Sequence, residues 1–167
     1  MPEMKMVIRD EMVQLDLAEI QKKCQDLRPF FEAAGAYMMA SVGRNFAEET
    51  EPSGKPWTPL AEATLEGRPK GGHGAKILQD TGQHIRDTMS AKVGADSVRI
   101  GPATKIIPQV HQYGTTRAGR GNRTTIPARP FLGFRPEDPE AIERLARDHV
   151  EGKLGMGGVN AGGEPLI

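Results

Sequence analysis

Four histidines, one cysteine and a run of arginines are the side chains with the widest chemical scope in this 167-residue chain. A helical zinc site needs histidines one turn apart, and a structural zinc site needs cysteine partners. His73, His84, His111 and His149 have no such spacing, and Cys24 stands alone, so neither a metal site nor an internal disulfide is expected. Cys24 falls at an apolar helical position, which predicts an inert place in the core. The Gly-x-Ser-x-Gly elbow, the phosphate-binding Gly-x-x-x-x-Gly-Lys loop and the dinucleotide Gly-x-Gly-x-x-Gly turn are all missing. Gly67-Arg68-Pro69-Lys70-Gly71-Gly72 is rich in glycine but lacks the strand and helix that phosphate binding requires around it. Asp80 and Asp87 are accounted for by capping and solvation. Nothing here argues for an enzyme, and no cofactor is expected.

The arginines are another matter. The whole chain balances 22 basic against 22 acidic side chains, but the placement is uneven. Residues 97 to 136 hold no acid and carry a net charge of +7, whereas 1 to 62 and 137 to 167 each carry −4. Arg117, Arg120 and Arg123 sit in a Gly-rich segment from 115 to 125, read as a mobile basic loop. Such arginines can neutralise a phosphate backbone, or the loop can order against an acidic protein surface; the absence of aromatic residues between them leaves nothing for base stacking. If the basic middle and acidic ends map to different faces, copies can dock head to tail, a contact that closes into rings. Folding can equally interleave the charges.

These residues need elements to hold them. Met4, Met6 and Ile8 alternate as in a short strand. From Leu17, Ile20, Cys24 and Leu27 onward, apolar residues recur at steps of three and four, and Pro29 divides the run into helices over 16 to 25 and 29 to 48. Phe31, Ala34, Met38 and Val42 form the face of the longer helix that should cover a sheet, and Gly35 and Gly43 mark close crossings. Trp57 lies in a Pro-rich loop as a lid on the core or as an anchor for a partner. Asp80 or Thr81 can cap a short helical turn, and 88 to 93 with 97 to 101 read as a hairpin.

Ile106, Ile107, Val110 and Tyr113 stripe a short helix closed by Gly114, with Tyr113 in the core and His111 or Gln112 bonded to nearby backbone. Residues 126 to 132 read as an edge strand, where Pro127 and Pro130 are tolerated. In that strand Phe131 is a buried anchor, and Arg129 pairs with a carboxylate of this subunit or of a neighbour. Asp138 caps a last helix that buries Ile142, Leu145, Ala146, His149 and Val150. The fold class is therefore α+β: a long helix on a small, mainly antiparallel sheet, with a C-terminal helix. One domain spans 1 to 153, and 154 to 167 is a Gly-rich tail expected to be disordered. No apolar run is long enough for a membrane span, and the first residues lack a secretory pattern, so the protein is expected to stay where it is made.

Several phrases together resemble the phage virion morphogenesis family, the tail completion proteins of contractile-tailed phages and prophages. They are Asn45-Phe46, Gly54-Lys55-Pro56-Trp57-Thr58-Pro59-Leu60, Ile77-Leu78-Gln79-Asp80-Thr81-Gly82, His111-Gln112-Tyr113-Gly114 and Ile126-Pro127-Ala128-Arg129-Pro130-Phe131-Leu132-Gly133, in that order. The resemblance covers residues 3 to 153. It implies a non-enzymatic virion protein that acts late in tail assembly, at the head-proximal end of the tail, and helps form the head–tail joint. It also implies a homo-oligomeric ring, of six subunits in related neck and tail-end proteins, that contacts other tail and neck proteins. The alternative reading is a DNA-contacting neck or connector ring subunit whose arginine loop lines the channel through which the genome passes, the one place where nucleic acid would be met. The expected location is the virion, after assembly in the host cytoplasm. Trp57, Arg117, Arg120, Arg123 and Arg129 are the candidate subunit or partner contacts. His111, Gln112, Tyr113, Gly114, Pro130 and Phe131 are the candidate structural motif.

Overall fold

A computed structural model describes residues 11–67, 76–79, 85–103 and 106–154. In chain order the elements are α1 (Glu11–Gln25), α2 (Arg28–Glu48), α3 (Glu62–Glu66), a 3₁₀ turn (Arg86–Thr88), β1 (Met89–Val93), β2 (Val98–Pro102), α4 (Ile106–Tyr113), β3 (Thr115–Ala118), β4 (Thr124–Ile126) and α5 (Asp138–Val150). The expected strand at 4 to 8, the cap at Asp80 or Thr81, His73, His84 and the tail beyond Leu154 lie outside the described residues.

The long helix α2 organises the rest. Pro29 starts it, where a missing N–H costs nothing. Glu49 ends it in the left-handed region at φ 56°, with its side-chain Oε1 accepting the Ile77 N–H at 2.6 Å. One side of α2 packs on the antiparallel β1–β2 hairpin, and another packs on α5. Gly35 lies at the hairpin crossing: a Cβ there would sit 3.0 Å from Val98 Cγ2 and 3.4 Å from Ala91 Cβ, so glycine sets the distance of approach. Gly43 corrects its expectation, because no atom lies within 4 Å of a Cβ built there and the residue faces open space.

Two apolar clusters run along α2. Ala33, Ala34, Tyr37 and Met38 meet Ala141 and Leu145 of α5. Val42 and Phe46 meet Trp57, Ile77, Ile85 and Phe131. Ala34, Met38 and Val42 are buried as the spacing predicts, while Phe31 is half-buried beside Val98 and Ile100 at the edge of an open apolar groove. Burial of a single large apolar side chain contributes about 1.5–3 kcal/mol, so these two clusters supply the main stabilising force.

The architecture is α+β, as the pattern predicts, but the strands form two separate two-stranded antiparallel sheets, β1–β2 and β3–β4. The segment 115 to 125, expected to be a loop, is largely the β3–β4 hairpin. Its turn uses positive φ at Gly119, Gly121 and Asn122, which glycine and asparagine adopt at low cost. The expected edge strand over 126 to 132 shrinks to its first residue, Ile126. The helix α1 begins earlier than the pattern indicates, at Glu11, and Cys24 is exposed rather than in the core, although the carbonyl of its neighbour Lys23 meets His149 of α5 at 2.9 Å.

Candidate interaction site

The strand fails after Ile126 because Pro127 and Pro130 have no N–H to give a ladder. Side chains replace the ladder. Gln112 Oε1 accepts the backbone N–H groups of Phe131 and Leu132, both at 3.1 Å, and its Nε2 donates to the Leu132 carbonyl at 2.8 Å. Trp57 Nε1 donates to the Pro130 carbonyl at 2.7 Å, and Asn45 Nδ2 donates to the Phe131 carbonyl at 3.1 Å. The Arg129 N–H reaches the His111 carbonyl at 2.6 Å. Phe131 itself has no exposed surface, and its ring lies 5.4 Å from that of Phe46, which meets Trp57 edge-on at 5.6 Å. Gln79 completes this clamp by donating to the Phe46 carbonyl and accepting from Arg86, at 2.7 and 2.8 Å.

Arg129 corrects its expectation. It is 5% exposed, and its guanidinium donates to the carbonyls of Thr58 and Pro59 at 2.7 and 2.9 Å rather than to a carboxylate. The Pro-rich loop turns its carbonyls inward there, and proline leaves them without a local donor, which gives the buried charge its acceptors. Burial works against that charge and lowers the Arg129 pKa. His111 stands nearby with a buried Nδ1 that has no partner among the described residues; burial, and then Arg129, lower its pKa. Trp57 is 3% exposed, so the structure has it as a core lid and not as a surface anchor.

Tyr113 also corrects its expectation: it is 77% exposed. Successive helical residues point about 100° apart, so once Gln112 faces the 127–132 segment Tyr113 must face out. Gly114 follows at φ 73°, and a Cβ there would lie 2.8 Å from the Ala128 nitrogen, so glycine is what lets the clamp segment pass.

A second polar cluster lies at the start of α5. Asp138, fully buried, accepts from the Tyr37 hydroxyl at 3.1 Å, from the Ser41 hydroxyl at 2.9 Å and from the Arg135 N–H at 2.8 Å. It marks the helix start, as expected, but its carboxylate reaches back to Arg135 instead of capping the first turn. Burial and then the interactions with Asp138 raise the Tyr37 pKa against the opposing pull of Arg44. Arg135 ties this cluster to Asn45, Glu48 and Glu137, at 3.0, 2.9 and 3.0 Å. An arginine of the basic middle therefore pairs with both acidic flanks inside one subunit. Apolar spacing does not reveal this cluster, although Tyr37, Ser41 and Asn45 fall at steps of four on α2 and mark a polar seam in an apolar face.

The remaining candidates lie on the β3–β4 hairpin. Arg117, Arg120 and Arg123 are exposed, and none makes an ion pair among the described residues. Along the hairpin Thr115, Ala118 and Ile126 are half-buried and the remaining residues are exposed. The structure thus divides the five expected contact residues, placing three guanidinium groups in solvent and Trp57 and Arg129 inside. No three His, Cys, Asp or Glu side chains gather as for a metal ion among the described residues, and no described helix is long and apolar enough to cross a membrane.

The polar side chains of the clamp thus bond chiefly to the chain's own backbone, and one cationic hairpin is left exposed. Comparison with known proteins gives the family. The model of the phage virion morphogenesis family matches residues 8–151, and the chain belongs to that family. It is 31% identical over 116 residues to tail completion protein S of Escherichia phage P2, covering 66% of this chain and 75% of that protein. No solved structure gives a significant match.

Proposed function

We propose that this protein is a structural subunit of phage tail completion, acting late in tail assembly at the head-proximal end of the tail, where it helps form the head–tail joint. The observation that carries this reading is the match to the family and to a protein named for tail completion. The geometry is consistent with it, since the polar groups of the clamp hold backbone and none converges on a reaction centre. The reading is therefore of a scaffold and not of a catalyst. It works in the host cytoplasm during assembly and stays in the virion.

Self-association into a ring, six subunits by family resemblance, belongs to the same proposal. Apolar contacts supply most of the affinity in such assemblies, and charge sets orientation. Trp57 is buried, so the apolar contribution falls to side chains that are on the surface: Phe134 at 65% exposure and Tyr113 at 77%, each lining an open apolar groove that shares Ile100 and Leu132 with the other.

The test is electron microscopy of lysates from a phage or prophage lacking this coding sequence. DNA-filled heads and separate tails of normal length are expected. Normal virions, or no tails at all, would contradict the assignment. Sedimentation of the purified protein at several concentrations tests the ring, and a strict monomer throughout would leave only assembly templated on the tail.

A further inference from the structure

We infer that the β3–β4 hairpin is a binding finger for the phosphate backbone of nucleic acid, with Arg117, Arg120 and Arg123 as the contact groups. It extends the head–tail joint reading and rests on it only for which DNA the hairpin meets.

The hairpin carries charge without a partner. Several arginines elsewhere in the subunit meet carboxylates: Arg28 meets Glu32, Arg135 meets Glu48 and Glu137, and Arg147 meets Glu143, whereas Arg129 is held by carbonyls and Arg99 and Arg144 stand singly among the described residues. The three hairpin arginines find no carboxylate among the described residues, and the sequence offers no acid from 97 to 136. Three cations within seven residues repel one another, and an anionic ligand removes that cost.

The turn is built rather than slack. Gly119, Gly121 and Asn122 have φ of 69°, 83° and 53°, and the Asn122 N–H closes on the Gly119 carbonyl at 3.2 Å. A Cβ on Gly119 would lie 2.8 Å from Thr124 Oγ1, so the crossing of the two strands needs glycine. A formed turn presents guanidinium groups at a smaller ordering cost than a free loop would.

The composition of the hairpin favours a phosphate backbone over a carboxylate-bearing protein surface. From 115 to 125 the only apolar side chain is the methyl group of Ala118. Protein interfaces draw affinity from a desolvated apolar centre, which this hairpin lacks. Binding to a polyanion draws it from counterion release, which needs only cations. Thr115, Thr116, Thr124 and Thr125 add hydroxyls of the type that position phosphates. With no aromatic ring for stacking, contact should be indifferent to base sequence and tolerant of duplex.

One finger with three phosphate contacts binds weakly, and several fingers in a ring would gain by multivalency. The experiment is fluorescence anisotropy of the full-length protein with two labelled duplexes of about 30 base pairs and unrelated sequence. Three phosphate contacts per subunit predict a slope of about −2.7 in log K against log salt, or a loss of about 40-fold between about 50 and 200 mM, the same for both duplexes. The variant Arg117→Gln/Arg120→Gln/Arg123→Gln should lose this binding while keeping the parent's melting temperature and sedimentation. The control Lys92→Gln/Arg99→Gln, which removes two exposed charges from the other hairpin, should retain most of it. No binding by the parent at low salt, or equal binding by the triple variant, would overturn the inference. So would loss of self-association by the triple variant, since the arginines would then face a second copy. DNA binding that behaves as described, together with normal virions from the deletion lysates, would keep the finger and reject the tail completion reading.

Discussion

Arg129 and Arg123 lie six residues apart in one acid-free stretch, yet one is 5% exposed and bonded to two carbonyls while the other is in open solvent. The difference comes from the backbone around each. At 127 to 131 prolines remove the ladder, and the vacated carbonyls and N–H groups draw in Gln112, Trp57 and Asn45, while the Arg129 side chain reaches the carbonyls of Thr58 and Pro59. At 115 to 126 glycines let the chain close on itself as a hairpin, and its arginines are left with nothing to satisfy. The phrases that look most functional, His111-Gln112-Tyr113-Gly114 and Arg129-Pro130-Phe131, are thus mainly devices for folding. The plainer Gly-Arg repeat is the part available to a partner.

The largest expected effect lies in the clamp. Phe131→Ala should destabilise the protein by about 3–5 kcal/mol, because it empties a fully buried site between Phe46 and its neighbours. Urea unfolding measures it, and a loss below about 1 kcal/mol would break the contrast between the regions. Gln112→Ala leaves two backbone N–H groups and one carbonyl without their partner and should cost about 1–3 kcal/mol.

Smaller effects sharpen the comparison. The two helical glycines should separate: Gly43→Ala gains about 1 kcal/mol of helix propensity in open space, whereas Gly35→Ala must displace Val98 and should not be stabilising. Changing any one hairpin arginine to Gln should alter stability by no more than about 0.5 kcal/mol.

The pH effect of His111 should be the smallest. Its folded pKa lies below its unfolded value of about 6.5, so the unfolded chain takes the proton first and stability falls as pH drops through that value. Thermal melts at neutral and mildly acidic pH should show a smaller drop for His111→Gln than for the parent. An equal drop would remove His111 from the account.

Much of this was legible before the fold. The helix over 29 to 48, the hairpin pairing 88 to 93 with 97 to 101, the start of the last helix and the burial of Phe131 all follow from apolar spacing and proline placement, which are local signals. What escaped was long-range and polar. Asp138 meets Tyr37 and Ser41 across about a hundred residues of chain, and no local pattern announces that a carboxylate will be buried there. The charge of Arg129 points to a carboxylate, but the carbonyls that receive it belong to a loop some seventy residues earlier. An apolar stripe does not say which side of a short helix the next segment crosses, so it does not place Tyr113 outside the core.

The central claim is that the clamp carries the fold and the hairpin carries the partner contact. Its most direct test is complementation of a deletion phage by the triple Arg117→Gln/Arg120→Gln/Arg123→Gln chain, with urea unfolding of the same variant as the control. The account predicts a protein as stable as its parent that restores few or no infective particles. A triple variant that is equally stable and restores the parent's full yield would contradict it.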